Sequence, residues 1–283
     1  MRPFLLLTLA VGLLACGADP ASSPSTAPAA AHESDEMRDP DDVRDLGAAP
    51  EKAAETTDDD WITLFDGTST EGWRGYNAET MPPGWVVKNG ELTFDDGAKT
   101  SDAEYEGGKD IIYAAEEFDN FELYLEWKIP PGGNSGIFYH VKEGYGGPPE
   151  VAPEYQLIDD ENYTKYHDIC AYNKSLGYDC NLQDWQSTGA DYAMYPAPMD
   201  DRNLKPAGEW NTSRIIFTLE KAEYWLNGKQ VVSFVPWSED WEARKNSGKW
   251  DNLPDYGKFK TGYIGLQDHD SPLWFRNIKI KRL

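Results

Sequence analysis

From Trp61 onward, apolar residues recur at every second position, the period of β-strands. The stretch FELYLEWKI sets Phe121, Leu123, Leu125, Trp127 and Ile129 against Glu122, Tyr124, Glu126 and Lys128, giving one apolar and one polar face. WVVKNGELTF and AEYWLNGKQVVSF each carry an Asn-Gly pair between apolar runs, at Asn89-Gly90 and Asn227-Gly228. Such pairs mark two-residue hairpins, because both central residues of that turn need positive φ. DIIYAA, NSGIFYHVK, EYQLID, RIIFTL, TGYIGLQD and LWFRNIKIKRL read as further strands, for roughly ten to thirteen in all. One helix is expected over EDWEARKN, with Ser238 as its N-cap and its end near Gly248. Residues 160–190 break the alternation and read as an irregular insertion. Many short strands with a single helix predict an all-β protein built as a two-sheet sandwich.

The first sixty residues follow another grammar. Residues 1–16, MRPFLLLTLAVGLLAC, place Arg2 ahead of an apolar run from Phe4 to Leu14, too short for a permanent bilayer span. The run ends Leu13-Leu14-Ala15-Cys16, which resembles a bacterial lipobox and makes Cys16 the expected lipidation site. In a diderm host the following Gly17 implies sorting to the outer membrane or its periplasmic face. Residues 17–60 hold 13 acids, 3 bases and no aromatic residue. Such a segment cannot bury enough apolar surface to offset its ordering entropy, and it is expected to be a disordered acidic tether. The folded domain is therefore placed at 61–283.

Composition narrows the partners. A net charge of −24 repels phosphate backbones, so no nucleic acid is expected, and it works against direct adhesion to anionic lipid heads. Aromatic residues make up 13% of the chain, with 11 Trp and 16 Tyr, which suits stacking on sugar rings as well as filling a β core. Export puts Cys170 and Cys180 in an oxidising space, where a disulfide closing a short loop is expected. A zinc site using these cysteines with nearby His167 is the weaker alternative. There is no HExxH, GxSxG, P-loop or dinucleotide fingerprint, so no cofactor is expected. A structural calcium ion is left unassigned, since no EF-hand spacing is present.

Several phrases occur together and in order: LFDGTSTEGW, GGNSGIFYH, EYQLIDD, PAGEWNTSRI, YWLNGKQV, GYIGLQDHD and FRNIKIKRL. Jointly they resemble the 3-keto-disaccharide hydrolase family, over the whole folded part. That resemblance implies a jelly-roll β-sandwich of the concanavalin A-like lectin/glucanase type. It also implies substrates that are glycosides oxidised at C3, a 3-keto sugar or oligosaccharide. A separate sugar 3-dehydrogenase must then act upstream, because this chain carries no nicotinamide site. The long segment 160–190 departs from a plain domain of this kind and bears on the rim of any cleft.

A ketone at C3 loosens the proton on C2. Cleavage then needs one base, a group to hold the enolate and an acid for the leaving group, with water adding back afterwards. Glu154 is the first candidate for the base, on a strand face with Gln156 rather than with a second acid, which disfavours an ordinary double displacement. His269, at a strand end, is a second candidate acid or base. Arg276 is a candidate to hold the enolate or a sugar hydroxyl. Asn134, Gln156 and Gln267 offer amides to sugar hydroxyls, and Asp159 and Asp268 carboxylates to orient a base or bind a cation. Strict alternation would also put His140 on the face of Asn134 and Phe138. A non-catalytic lectin-like module and an ordinary endoglucanase are the competing readings.

Overall fold

A computed structural model of the chain describes residues 60–94, 109–200 and 202–283. Cys16 and the segment before Asp60 lie outside the described residues. In chain order the first strands are β1 Ile62–Phe65, β2 Trp73–Gly75, β3 Trp85–Lys88, β4 Glu91–Phe94, β5 Ile111–Phe118 and β6 Phe121–Lys128. Next come β7 Asn134–Val141, β8 Glu154–Ile158, β9 Asn211–Phe217, β10 Ala222–Leu226 and β11 Lys229–Phe234. The chain closes with β12 Gly262–Leu266 and β13 Leu273–Arg282. Three short helices are α1 Tyr163–Tyr166, α2 Cys170–Ser175 and α3 Glu239–Lys245.

The strands form two antiparallel sheets. One has eight strands in the order β11-β10-β9-β6-β13-β4-β3, with β1 also pairing β13. The other has five in the order β2-β5-β12-β7-β8. The expected all-β sandwich is what folds, and its core is the apolar stripe read from the sequence. Phe121, Leu123, Leu125 and Trp127 of β6 meet Ile137, Tyr139, Tyr155, Leu157, Ile264 and Leu266 of the opposite sheet in one buried cluster. Burying each such side chain contributes roughly 1.5–3 kcal/mol, and aromatic contacts such as Phe121 against Phe217 at 5.9 Å supplement this.

Both Asn-Gly hairpins form, with φ of 56° and 79° at Asn89 and Gly90 and of 47° and 80° at Asn227 and Gly228. Ser238 caps α3 by accepting from the Trp241 amide. The insertion is more ordered than its composition predicts, because it contains α1 and α2 and a disulfide between Cys170 and Cys180. That bond leaves neither cysteine free as a thiolate ligand. His167, the third member of the zinc alternative, instead contacts the Gly132 carbonyl through Nε2 at 2.9 Å and stacks on Tyr163.

One expectation from strict alternation is corrected. His140 has φ of +56°, and the pairing of β12 with β7 shifts register between Tyr263 and Gly265. The irregularity turns the imidazole away from the face of Phe138 and packs it edge-on against Phe217 at 4.7 Å, with Nε2 2.9 Å from the Asp119 carbonyl. Burial holds its pKa down at about 4, so it is a neutral packing residue.

Candidate active site

Strands β7 and β8 are buried along their whole length, polar positions included. Their core-facing residues are Ile137, Tyr139, Tyr155 and Leu157, so alternation points Asn134, Gly136, Phe138, Glu154 and Gln156 to the opposite, outer face. The register lines these residues up across the sheet. Gln156 pairs Gly136 and Glu154 pairs Phe138. The Gln267 amide donates to the Gly136 carbonyl at 2.9 Å, just past the end of β12, and Leu266 pairs Ile111. A polar row therefore runs from Gln156 over Gly136 to Gln267 and Asp110. Beside it lies an apolar patch of Ile112, Phe138, Val141, Val151 and Ala152.

Glu154 is the centre of the row. Its carboxyl group lies across Gly136, where a Cβ would come within 2.2 Å of Oε1. The residue is 4% exposed, and its carboxylate accepts no hydrogen bond from any described residue, so that only burial and charges act on it. Burial raises its pKa to about 8, with the Lys249 charge opposing and the Asp110 charge adding to the shift. Asp110 is itself pushed up to about 7 by burial, although its Oδ1 accepts from the Asp268 amide at 2.9 Å. Two carboxyl groups on one sheet face therefore titrate near neutrality, the range that proton transfer requires. Three strand spacings separate β8 from β5, about 14 Å between backbones. The sheet does not build these two acids into neighbours, as a retaining glycosidase needs.

The amides of the row are short of partners. Asn134 Oδ1 and Gln267 Oε1 are buried with no hydrogen-bond partner among the described residues. Leaving such groups unpaired costs about 1–3 kcal/mol each, a cost that a bound polyhydroxylated ligand removes. Gln156 uses its Oε1 locally, accepting from the Leu157 amide at 3.1 Å.

The other sequence candidates are placed differently. Asp159 organises its own loop, with Oδ2 accepting from the Gly132 amide at 2.7 Å and Oδ1 from Asn162. Asp268 likewise accepts from the Lys109 and Asp270 amides. His269 is exposed, two residues beyond Gln267 and past the end of β12, at the rim of the row. Arg276 is not brought to Glu154 at all. It lies on β13 in the other sheet, paired with Glu126 at 2.7 Å and stacked 3.9 Å from the Trp210 ring centroid. Among the described residues no group of three or more His, Cys, Asp or Glu is placed to hold a metal ion.

Sequence reasoning missed Asp110, Tyr192 and Lys249. Residues 189–192 run along the free edge of β8: the Gly189 amide donates to the Gln156 carbonyl and the Tyr192 amide to that of Glu154, both at 2.9 Å. Lys249 follows α3, and its Nζ stands 4.2 Å from the Tyr192 ring centroid. The side chain is exposed, yet the protein around its ammonium holds its pKa below the usual lysine value, with Glu154 acting in the opposite direction. No periodic signal marks Lys249. For Asp110 a weak one existed, an acid immediately before a strand.

Fold and face together define a β-sandwich with a buried acid in a polyamide row on the outer face of its smaller sheet. Residues 60–281 match the model of the 3-keto-alpha-glucoside-1,2-lyase-like domain, and the chain belongs to that family. A 3-keto-disaccharide hydrolase of Bacteroides thetaiotaomicron is 35% identical over 245 residues, covering 80% of this chain and 79% of that protein. A crystal structure from Parabacteroides distasonis, described as a "putative glycosyl hydrolase", is similar with a TM-score of 0.69 and 38% identity, over 81% of this chain and 98% of that one. A second such structure from the same organism gives 0.56 and 28%, over 79% and 99%.

Proposed function

We propose that this chain is a glycoside-cleaving enzyme that acts on 3-keto-glycosides by elimination and rehydration, with Glu154 removing the C2 proton. The observation that carries this reading is a buried carboxyl group, seated over Gly136, with no hydrogen-bond partner among the described residues to commit it to structure. Its raised pKa makes the carboxylate a far stronger base than a solvated glutamate. Asn134, Gln156 and Gln267 supply hydrogen bonds to the sugar hydroxyls, and His269 stands at the rim as a second proton-transfer group. The substrate arrives already oxidised, which requires a separate sugar 3-dehydrogenase and no cofactor in this chain.

The test compares a 3-keto-disaccharide with its parent disaccharide. Release of a monosaccharide from the keto form alone is expected. Glu154→Gln should lower kcat by at least ~10²-fold while leaving KM within a few-fold. Binding of both sugars without cleavage would mean a lectin-like module, and cleavage of the parent would mean an ordinary glycosidase. Because Glu154 must be ionised to act, kcat/KM should rise with pH up to about 8.

We also propose that Cys16 is lipidated and anchors the domain to the cell envelope, at the outer membrane or its periplasmic face, through the acidic segment 17–60. The lipobox sequence supports this reading. Cys16→Ser should abolish incorporation of labelled palmitate.

A further inference from the structure

Beyond Tyr192 lies a cavity of about 500 Å³ that proton abstraction leaves unused. The disulfide-closed loop supplies one wall through Leu176 and Tyr178, large apolar side chains that are 43% and 44% exposed. Trp185, Met194 and Pro196 continue it. Tyr178, Trp185 and Tyr192 form a run of tilted rings with centroids 5.7 and 5.6 Å apart, leading from the cavity towards Glu154. Trp185 Nε1 is buried with no partner among the described residues.

Two cations line the cavity, and only one is committed elsewhere. Arg244 donates to Asp240 at 2.9 Å and to the Met194 carbonyl at 3.1 Å. Lys249 has no ion pair among the described residues. It stands over Tyr192, whose amide is bonded to the Glu154 carbonyl, and its charge acts on the Glu154 carboxyl group.

Resting on the proton-abstraction reading, we propose that this cavity is the leaving-group subsite for a flat aryl aglycone, with Lys249 as the acid that protonates the departing oxygen. An aryl ring gains stacking on Tyr178 and Trp185 and apolar contact with Leu176, Met194 and Pro196, and a ring substituent can accept from the unpartnered Trp185 Nε1.

Glu154 takes the C2 proton, and the electrons of the broken C2–H bond form the C3 enolate. The C3 carbonyl reforms, C1=C2 forms, and the C1–O1 bond breaks with its electron pair leaving on O1. Lys249 gives O1 a proton, releasing the aglycone alcohol. Water then adds across C1=C2. Its oxygen bonds C1, one of its protons restores Lys249, and Glu154 returns a proton to C2.

The experiment uses the 3-keto derivatives of methyl, phenyl and 4-nitrophenyl glucoside. Lys249→Met should lower kcat on the methyl glycoside by about 10²-fold or more, and on the nitrophenyl glycoside by less than about tenfold, since nitrophenolate leaves unprotonated. In deuterium oxide the same variant should still exchange the C2 hydrogen of uncleaved methyl glycoside, because the enolate forms and returns. Equal losses on both glycosides, or loss of exchange together with cleavage, would overturn Lys249 as the acid. Exchange surviving in Glu154→Gln would overturn the base assignment instead. Tyr178→Ala should raise KM for the phenyl glycoside about tenfold and leave that for the methyl glycoside unchanged. If both change alike, the cavity is not the aglycone subsite.

Discussion

The outer faces of the two sheets carry glutamates at the same kind of alternating strand position, with opposite outcomes. On the eight-stranded sheet, Glu122 accepts from Arg214 and Lys281, and Glu126 accepts from Arg276 and Asn277. Burial pushes both pKa values up, but the donors outweigh it and the net shift is downward. The neighbouring cations lie over aromatic rings, Lys128 at 4.7 Å from Trp210 and Lys279 at 4.8 Å from Trp61. On the five-stranded sheet, Glu154 has no such donor among the described residues, and burial, helped by the Asp110 charge, outweighs the Lys249 charge. A carboxylate that is fully paired stabilises a fold and has little basicity left. One that is desolvated and unpaired costs stability and is primed to take a proton.

The largest expected effect comes from crowding the unpaired acid. Gly136→Ala would force its methyl into the Glu154 carboxyl group. We expect at least ~10²-fold loss of kcat on a 3-keto-disaccharide with about 1–3 kcal/mol of destabilisation, read by steady-state kinetics and urea unfolding. Normal turnover in that variant would remove Glu154 from the chemistry.

Next comes the paired acid. Lys281 and Glu122 are both 8% exposed and 2.8 Å apart. Lys281→Met removes one of the two cations that hold the Glu122 carboxylate and should cost about 1–3 kcal/mol in chemical denaturation, with kcat unchanged. A neutral result would show that Arg214 alone satisfies Glu122.

The contrast has a pH signature of opposite sign on the two faces. Glu154 has its folded pKa raised from near 4.5 to about 8, so the folded state holds the proton more tightly. Its stabilising contribution is complete below pH 4.5 and is lost as pH rises through 8. Glu154→Gln should therefore melt higher than the parent at pH 8.5 and match it near pH 4. Glu126, whose pKa is lowered, contributes above its usual value and loses that contribution as pH falls, so Glu126→Gln should be the less stable protein at pH 7. Parallel pH curves for the two variants would erase the distinction between the faces.

The smallest effect is expected at Arg276. Its pair with Glu126 is half-exposed. Arg276→Ala should cost under about 1 kcal/mol and leave kcat alone. A large loss of turnover would restore the enolate-holding role that the sequence reading gave it.

Much of the fold was legible because its signals are local. The β6 alternation, the two Asn-Gly turns and the Ser238 cap each depend on residues a few positions apart, and each formed where read. His140 was misplaced because one residue with positive φ reverses the alternation, and nothing in NSGIFYH announces it. Glu154, Gln156, Asn134 and Gln267 were read as site residues from strand faces, and they do share one face. Arg276 was offered on its charge within WFRNI, and it went to the other sheet, because residue type does not tell which sheet a strand joins.

By itself, the sequence determined the strands, their apolar stripes, the hairpin turns and the amides and acid available for sugar chemistry. Only the tertiary structure decided that Glu154 lies over Gly136, that Asp110 shares its face and that Lys249 stands beside Tyr192. The reason is the range of the forces involved. Turn geometry and hydrophobic period act over a few residues, whereas desolvation of a carboxylate and the field of a distant charge depend on which segments the packed sheets bring together.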